Sequence, residues 1–478
     1  MQIDTELQTD GVGSLGMKTK RLSLKEKIGY SLGDTASNLF FQTFIVFLPI
    51  FYTDVFGISA AAMGTMFLVT RIWDAVNDPM MGMIADRTNS RWGKFRPYIA
   101  GFAIPFAIGG ILTFTTPDFG ASGKLIYAYV TYTLLLMLYT AVNVPYSSLM
   151  AVITPNSLER TEVSAFRFVA AFVGQFIVGA ATLSLVQYFG KGNDQVGWQW
   201  AIGCFGIIAI ILLFITFSTT KERVHPPKEQ KSNIKQDLKD LFKNKPWLLI
   251  AGATVFQLTY IVMRGSTTAY YFRYFVHDQQ LVLFGYTINL SYEIFTSSFI
   301  TLGTFATLIG AILTTWFSKR IDKKNIYSSF LIISAVSSGL FYFLRPEDVL
   351  LIYMLNIFVS FFFGSVSVLQ WAIYTDTADY GEWKMKRRAT GLVMAASLFA
   401  LKLGLTLGGS IVGWILAFYD FAPNQGQSAE AVKGIIMLMS FYPAVFGIIG
   451  GLLMFFYPLN NKMMAQIEQD LTLRRQQE

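Results

Sequence analysis

Long apolar stretches alternate with short charged segments along almost the whole chain. Each stretch is close to the roughly 20 residues that an α-helix needs to cross the hydrocarbon core of a bilayer. The pattern predicts twelve membrane-spanning helices, at residues 28–53, 59–85, 97–117, 123–150, 162–189, 196–219, 247–276, 292–317, 325–344, 349–375, 388–419 and 432–458. We therefore expect an all-α membrane protein embedded in a lipid bilayer.

The composition excludes several classes of protein. The chain is 53% hydrophobic and only 14% charged, whereas soluble domains carry roughly 25% charged residues. With Cys204 as the single cysteine and two histidines, neither a disulfide framework nor a zinc cluster is available. The sequence contains no P-loop and no H-E-x-x-H motif, so we expect neither an enzyme nor a cofactor. No apolar segment precedes Ile28, which argues against a cleavable signal peptide.

The basic residues are distributed unevenly between the two sides of the predicted bundle. The net charge is +8, and most of the 38 Lys and Arg residues lie in the termini and in the segments 87–96, 160, 221–245, 319–324 and 384–388. The opposite side carries Lys124, Lys191, Arg273, Arg345 and Lys433. By the positive-inside rule we expect both termini on the cytoplasmic side. The membrane that we expect is the cytoplasmic (inner) membrane of a bacterium. The basic charge thus follows membrane topology, and no nucleic-acid partner is expected.

The longest polar segment divides the spans into two groups of six. We predict a tail at 1–27, a six-helix bundle at 28–220, a cytoplasmic linker at 221–246, a second six-helix bundle at 247–458 and a tail at 459–478. Within the linker, Ile234 to Phe242 has the spacing of a short amphipathic helix on the membrane surface. Two six-helix halves joined by a charged loop have the layout of the major facilitator fold, whose substrate site lies near the midplane.

Charged residues inside the spans carry the functional argument. Each costs at least roughly 2.5 to 3.5 kcal/mol at the centre of a helix unless it is paired or hydrated. Asp74 and Asp78 lie one helical turn apart on the same face of the second span, and Arg71 precedes Asp74 by three residues. Two such carboxylates form a hard oxygen site that suits Na⁺ or a shared proton. The alternative is an ion-pair network that only holds helices together.

Further polar residues within the spans extend this candidate site. Asp34 and Asn38 lie four residues apart in the first span, and Thr140 and Asn143 lie three apart in the fourth. Each taken singly is typical of hydrogen bonds between helices, but together they suggest a pocket. Arg264, in the middle of the seventh span, has a planar guanidinium that binds carboxylates in a bidentate manner. Alternatively, Arg264 forms an internal ion pair with an acid such as Asp34.

Three motifs together resemble those of a known transporter family. They are Arg71-Ile-Trp-Asp-Ala-Val-Asn-Asp-Pro79, the segment from Asp86 to Pro97 with the sequence DRTNSRWGKFRP, and Asp376-Thr-Ala-Asp-Tyr-Gly-Glu382. The sequence is similar to the glycoside-pentoside-hexuronide:cation symporter family over nearly its whole length, from about Leu24 to Tyr457. The resemblance implies a sugar transporter of the major facilitator superfamily that is coupled to Na⁺, Li⁺ or H⁺.

The resemblance also implies roles for individual residues. Asp74 and Asp78 would bind the cation with a contribution from Thr140, and Asn143 lies close enough in sequence to join them. Arg167 and Lys402 would line the central cavity. A loop after the second span would brace the cytoplasmic side through Gly82, Asp86, Arg87 and Arg91.

The chain departs from the melibiose-transporting members of that family at the sugar site. Ser37 and Asn38 replace a Lys-Asp pair, Asn143 replaces an aspartate, and Ser147 and Ser367 stand in place of two sugar-stacking tryptophans. Trp371, one turn beyond Ser367, offers another stacking surface, or alternatively only packs in the interior. These changes remove acidic groups and leave the expected cavity more positive.

We therefore expect a cation-coupled symporter that works by alternating access, as a monomer, on an acidic, uronate-containing saccharide with Na⁺ or H⁺. The expected substrate-binding residues are Asp34, Asn38, Arg167, Arg264, Trp371 and Lys402. A neutral glycoside or xyloside is the alternative substrate. A transporter-like sugar sensor also stays open, whereas a drug exporter of the same fold is disfavoured by the sugar-family motifs.

Overall fold

α-Helices dominate the computed structural model, which describes residues 22–154, 157–223, 239, 241–283, 286–386 and 390–477. The N-terminal part forms α1 (Leu24–Val46), α2 (Leu48–Ile50), a π-helical turn (Phe51–Phe56), α3 (Ala60–Arg87), α4 (Arg96–Thr113), α5 (Ala121–Ile153), α6 (Ser157–Gly190) and α7 (Asp194–Thr219). The C-terminal part forms α8 (Lys245–Tyr271), a π-helical turn (Phe272–Val276), strands β1 (Gln279–Leu283) and β2 (Tyr286–Leu290), α9 (Tyr292–Ser318), α10 (Lys323–Gly339), a 3₁₀ turn (Leu340–Phe343), α11 (Val349–Met385), α12 (Thr390–Phe418), α13 (Ala429–Met439), α14 (Phe441–Phe455) and α15 (Asn461–Gln477).

The predicted all-α membrane architecture is confirmed, whereas the count of twelve spans stays a prediction. Within the described residues, ten helices are long and apolar enough to cross a membrane, and α1 with the bent segment after it makes an eleventh. Helix α3 has 28 residues, which at 1.5 Å per residue gives about 42 Å, more than a bilayer core. Its apolar character is reduced by Arg71, Asp74 and Asp78, which are the residues of the predicted cation site and its neighbouring arginine.

Local sequence signals explain where several helices begin and bend. The Ser23 Oγ accepts a hydrogen bond from the Glu26 amide at 3.2 Å and so caps α1. The chain bends by 54° after α1, where Pro49 lies in the first turn of α2. Proline lacks the amide hydrogen that would continue the hydrogen-bond ladder, so the first span is broken near its predicted extracellular end.

Four features differ from the sequence-based expectation. An antiparallel hairpin pairs Gln279 with Leu290, where only a connection was expected. Helix α11 continues ten residues past the predicted boundary at 375. The last predicted span is divided at Ser440, whose backbone is not helical. The predicted C-terminal tail contains α15, which is attached to α11 because the Trp383 indole nitrogen donates to Asp470 at 2.8 Å.

The predicted amphipathic helix at Ile234–Phe242 lies largely outside the described residues.

Glycines bring α3 and α12 into direct backbone contact. A Cβ atom on Gly64 would lie 2.7 Å from the Ser410 carbonyl oxygen, and one on Gly413 would lie 2.5 Å from the Ala60 carbonyl oxygen. Small residues allow this approach between helices in membranes. About three turns further along the two antiparallel helices, the same packing brings the acidic residues of α3 beside Lys402 on α12.

Polar contacts also join the N-terminal and C-terminal helices at the predicted extracellular end. The Thr53 and Tyr270 hydroxyls lie 2.8 Å apart. The buried Asp54 carboxylate accepts a hydrogen bond from Tyr274 and lies 3.8 Å from Arg273. The Asn424 amide donates to the Asp54 carbonyl oxygen. The first span is thereby tied to α8 and to the loop before α13.

Candidate functional site

Asp74 and Asp78 form one cluster with Thr140 and Lys402. The Thr140 hydroxyl lies 3.1 Å from Asp74 Oδ1 and 2.9 Å from Asp78 Oδ1. The Lys402 ammonium donates to Asp74 Oδ2 at 3.0 Å and to Asp78 Oδ2. Helices α3, α5 and α12 each contribute, so the cluster depends on the relative position of the N-terminal and C-terminal helices.

The charges of this cluster are balanced. The Arg71 guanidinium lies 3.9 Å from Asp74, so two cations face two carboxylates. The Asp74 side chain is 3% exposed, whereas those of Asp78 and Lys402 are 28% and 27% exposed. Asp78 and Lys402 are therefore the accessible members of the cluster, whereas Arg71 lies beside the more deeply buried Asp74 carboxylate.

Lys402 and Asn143 make other contacts than those expected, and their predicted roles stay predictions. Lys402 was expected in the substrate cavity, but its ammonium binds the two aspartates because the carboxylates are the nearest acids to it across the interface. Asn143 was expected to help bind the cation, yet its amide nitrogen donates to the Tyr139 carbonyl oxygen of its own helix at 3.2 Å. Thr140, one turn earlier, makes the contacts with the aspartates.

Thr140 offers a conservative test of this geometry. Replacing Thr140 with Val removes the hydroxyl that lies between both carboxylates, and one hydrogen bond to a charged group contributes roughly 1.5–3 kcal/mol. We expect Thr140→Val to weaken cation binding by about tenfold, measured as the Na⁺ or H⁺ concentration that gives half-maximal uptake. Thr140→Ser keeps the hydroxyl and should stay within about twofold of the parent. Equal cation dependence in the Val and Ser variants would contradict a role for Thr140.

Asp34 is bound by Arg167 and not by Arg264. Arg167 Nε and Nη2 donate to the two Asp34 oxygens at 2.6 and 3.1 Å, and the Tyr146 hydroxyl donates to Asp34 Oδ2 at 2.7 Å. The Arg167 guanidinium also lies over the rings of Tyr30 and Tyr146. The pair is therefore neutralised internally.

Asn38 is also engaged by neighbouring groups. Its side-chain oxygen accepts from Gln175 at 3.2 Å, and its nitrogen donates to the Asp34 carbonyl oxygen at 2.9 Å. The predicted sugar contact of Asn38 thus competes with two hydrogen bonds within the protein.

A cavity of about 340 Å³ lies between α1, α6, α8, α9, α11 and α12. Its lining combines amides and hydroxyls with apolar and aromatic side chains, including Gln42, Gln175, Gln257, Arg264, Thr304, Asn356, Ser367 and Trp371. Leu401 and Leu405, which flank Lys402 on α12, belong to the same wall. The volume is at the lower end of the roughly 300–1,000 Å³ typical of ligand pockets.

Arg264 lines this cavity with unsatisfied hydrogen-bond donors. The residue is 5% exposed, and its Nε and Nη2 atoms have no hydrogen-bond partner. Its guanidinium lies 5.3 Å from the centre of the Phe341 ring. Among the described residues, no carboxylate is within ion-pair distance of it, so the alternative of an internal pair with Asp34 is wrong.

A second cavity of about 310 Å³ is lined by Asp34, Ser164, Arg167, Phe168, Ala171 and Trp371. Trp371 also belongs to the wall of the first cavity. Its ring therefore lies at the boundary between the two spaces. The tryptophan that the sequence analysis selected as a stacking surface therefore lies between the two cavities.

The predicted cytoplasmic brace is described only in part. A Cβ atom on Gly82 would lie 3.8 Å from Val144, which is ordinary contact. Arg87 is exposed, and the Arg91 guanidinium stacks on Trp92 at 4.7 Å. The Asp86 side chain lies outside what the structure describes. Sequence reasoning missed Glu222, whose carboxylate accepts hydrogen bonds from the amides at the start of α4 at 2.8 to 3.1 Å.

Gln257 and Asn356 were also missed, since neither carries a charge. Both are buried and line the larger cavity. A usable signal was present for Gln257, because it precedes Arg264 by seven residues and so lies on the same face of α8.

Comparison with known proteins identifies the family. A profile described as MFS/sugar transport protein matches residues 29–461. The chain is a member of the glycoside-pentoside-hexuronide:cation symporter family. This symporter family consists of membrane transporters, so the predictions of the family, of the major facilitator fold and of a protein that is not an enzyme are confirmed.

Three relatives within the symporter family illustrate its range. A putative glycoside/cation symporter of Escherichia coli (strain K12) is 37% identical over 95% of this chain and 96% of its own length. The isoprimeverose transporter of Lactiplantibacillus pentosus is 36% identical over 93% and 91%. A glucuronide carrier protein homolog of Escherichia coli (strain K12) is 30% identical over 95% and 97%. The names of these three relatives refer to a glycoside and a cation, to isoprimeverose and to a glucuronide.

Solved structures support the fold. A bacterial homolog of the human lysosomal transporter Spinster superposes with a TM-score of 0.65 at 14% identity, covering 93% of this chain and 97% of that one. A bacterial homologue of the human drug peptide transporters PepT1 and PepT2 gives a TM-score of 0.66 at 11% identity, covering 93% and 99%. At such identities the likeness concerns the fold alone.

Proposed function

We propose that this protein is a cation-coupled symporter that imports an acidic, uronate-containing saccharide across the bacterial inner membrane. The cation, Na⁺ or H⁺, binds between Asp74 and Asp78, and the saccharide binds in the 340 Å³ cavity. The observation that carries the choice of substrate is the buried guanidinium of Arg264, whose Nε and Nη2 have no partner in the cavity wall. We also propose that both termini lie in the cytoplasm and that the protein works as a monomer.

The coupling mechanism follows from the position of Lys402. Its ammonium bridges the two carboxylates, so it occupies the place where a cation would bind. A Na⁺ ion or a proton neutralises the carboxylates and weakens the hold on Lys402, because like charges at this distance repel. Leu401 and Leu405, which are near Lys402 along α12, belong to the wall of the substrate cavity, so we expect the released side chain to turn toward that wall. Cation binding thereby makes the cavity more positive and favours an acidic ligand.

Alternating access requires that one end of the bundle opens while the other stays closed. The contacts of Asp54 with Tyr274 and Arg273 hold the predicted extracellular end together. The second cavity, with Ser164 and Arg167, lies toward the predicted cytoplasmic end of α6. This arrangement supports a state from which the substrate leaves toward the cytoplasm, past Trp371.

The electrostatics of Arg264 favour an acidic group on the substrate. A buried cation without an anionic partner is costly, and a carboxylate that accepts from Nε and Nη2 would form a charge-assisted, bidentate pair. Asp34 is not available for this purpose, since Arg167 binds both of its oxygens. A uronate carried together with a cation would cross the membrane with little net charge.

A neutral glycoside or xyloside is the second candidate substrate. The amides of Gln42, Gln175 and Asn356 in the cavity wall bind sugar hydroxyls without any need for a negative charge. A relative with 36% identity is an isoprimeverose transporter. Uptake of matched pairs of saccharides, with and without one uronate group, separates the two candidates.

Counterflow of labelled saccharide in proteoliposomes tests whether the protein transports at all. We expect labelled saccharide to enter vesicles preloaded with unlabelled uronate saccharide. A sensor that does not transport would give no entry of label. The coupling ion follows from a second series at fixed membrane potential. Uptake that rises with external Na⁺ supports Na⁺ as the coupling ion. Uptake that does not change with Na⁺ and falls with rising pH indicates coupling to protons.

Sugar and cation should each raise the affinity for the other by the same factor. Equilibrium coupling between two ligands is reciprocal, and here the link is the Lys402 side chain between the two sites. Calorimetric titration of the saccharide at several cation concentrations, followed by the reverse titration, measures both factors. Factors that differ beyond experimental error would contradict a scheme with one cation site and one saccharide site.

A further inference from the structure

Arg167 and Arg264, both inside membrane-spanning helices, use the same edge of the guanidinium differently. Arg167 donates from Nε and Nη2 to the two carboxylate oxygens of Asp34, at 2.6 and 3.1 Å. In Arg264 the same two atoms are buried and have no hydrogen-bond partner among the described residues. Because arginine keeps its proton in proteins, Arg264 cannot become neutral, and its charge has to be balanced in another way.

The surroundings of Arg264 supply no negative charge. The residue is 5% exposed, and the described residues that line its cavity include no aspartate or glutamate. The centre of the Phe341 ring lies 5.3 Å from the guanidinium, but an aromatic ring attracts a cation without replacing a counter-ion. A buried charge without a counter-ion is strongly unfavourable. The edge formed by Nε and Nη2 is therefore suited to an anion that comes from outside the chain.

Neighbouring hydroxyls of the cavity wall already donate their hydrogen atoms within their own helices. Thr268, Thr304 and Thr307 each donate to the backbone carbonyl oxygen one turn earlier, at 2.9 Å. Their remaining lone pairs accept hydrogen bonds, so these oxygens do not attract an anion. Within this part of the wall, the free edge of Arg264 is thus the feature that favours a negative charge.

We propose that Arg264 binds a monovalent inorganic anion, chloride, when the substrate is not bound. The anion accepts hydrogen bonds from Nε and Nη2 in the plane of the guanidinium, and it has the place beside Arg264 that the Asp34 carboxylate has beside Arg167. The cavity of about 340 Å³ has room for a halide or a nitrate ion. The bound anion keeps the substrate-free cavity close to electrical neutrality.

This anion site depends on the charge of Arg264 and not on the identity of the saccharide. Where the proposed function also holds, an acidic substrate places its carboxylate on the same edge and displaces the anion. Chloride then competes with the uronate saccharide, so it raises the KM of uptake and leaves kcat unchanged. A neutral saccharide has no carboxylate for this edge, and its uptake does not show that competition.

Thermal unfolding of the purified full chain without saccharide tests the anion site. The Na⁺ concentration and the ionic strength are held constant while fluoride is replaced stepwise by chloride, bromide or nitrate. A ligand of the folded state raises its stability by RT ln(1 + [L]/Kd). We expect a saturable rise of the Tm with chloride and a lower half-maximal concentration for bromide and nitrate, because weakly hydrated anions lose less on leaving water. General salt effects have the opposite order, since strongly hydrated anions stabilise proteins by exclusion from the surface.

Variants of Arg264 show whether the anion binds there. Arg264→Met removes the charge and should raise the half-maximal chloride concentration by at least about tenfold, because the hydrogen bonds to the charged group are lost. Arg264→Gln is the second variant if the Met variant does not fold, and the same loss is expected. Arg345→Met, at an exposed loop position, is the matched control and should keep the titration of the parent.

The outcomes distinguish this inference from the proposed function. A parent Tm that only falls from fluoride to chloride to bromide overturns the anion site, as does a saturable chloride effect that persists when Arg264 is replaced; acidic-sugar symport stands in both cases. A saturable effect that is lost with Arg264 but unchanged by a uronate saccharide supports the anion site and overturns the proposed substrate contact. Competition between chloride and the uronate saccharide in the parent supports both.

Discussion

Asp74→Asn and Asp78→Asn should each abolish accumulation of saccharide driven by an ion gradient. Each change removes one of the two negative charges that Lys402 and Thr140 bring together. A cation entering the altered site would meet one carboxylate and the Lys402 ammonium, and the attraction that drives binding is lost. We expect accumulation at background level, while exchange of labelled for unlabelled saccharide continues, because the substrate cavity is lined by other residues.

Asp118→Asn provides the matched control for these variants. Asp118 is exposed in the connection before α5, so the same chemical change there should leave accumulation intact. All variants are compared at equal amounts of reconstituted protein. Full ion-driven accumulation in both single variants would remove Asp74 and Asp78 from the coupling mechanism.

Arg264→Lys should reduce transport of a uronate saccharide by at least about tenfold, since a charge-assisted hydrogen bond contributes roughly 1.5–3 kcal/mol. Lysine keeps the positive charge but cannot reproduce the planar fork that binds both carboxylate oxygens. Transport of the neutral counterpart should change by less than about threefold, because it makes no charge-assisted bond with Arg264. The measurement is the ratio of kcat/KM for the two saccharides in proteoliposomes.

This ratio separates a substrate contact from a structural role for Arg264. A variant that is merely misfolded loses transport of both saccharides, and its ratio stays that of the parent. Arg345→Lys, at an exposed loop position, serves as the control for the chemical change. If Arg264→Lys takes up the uronate saccharide as the parent does, the bidentate contact with the substrate does not exist.

The sequence predicted the membrane helices well because their signal is local. Apolar runs of the right length mark them directly, and most helix ends lie within a few residues of expectation. The hairpin between Gln279 and Leu290 was missed, since two five-residue strands outside the membrane give a weak pattern beside such long apolar runs. Helix α3 was predicted at nearly its observed bounds, although its charged residues make it less apolar than the other spans.

The candidate site could be predicted only as far as spacing within one helix allows. Asp74 and Asp78 share a face of α3 because they lie one turn apart, which the sequence shows directly. The partner of Asp78 is Lys402, more than 300 residues away, and the partner of Asp34 is Arg167 on another helix. Such contacts depend on how helices pack, as at Gly64 and Gly413. For the same reason sequence spacing could not decide whether Arg264 binds an internal acid.

Ion-driven accumulation of a uronate saccharide tests the central claim most directly. Proteoliposomes containing the parent protein are given the labelled saccharide at equal concentration inside and outside, and an inward Na⁺ or H⁺ gradient is then imposed. The account predicts that the saccharide rises inside above its external concentration and returns to equality when the gradient collapses. An internal concentration that stays equal to the external one under both gradients, in vesicles shown to be active in counterflow, would contradict symport.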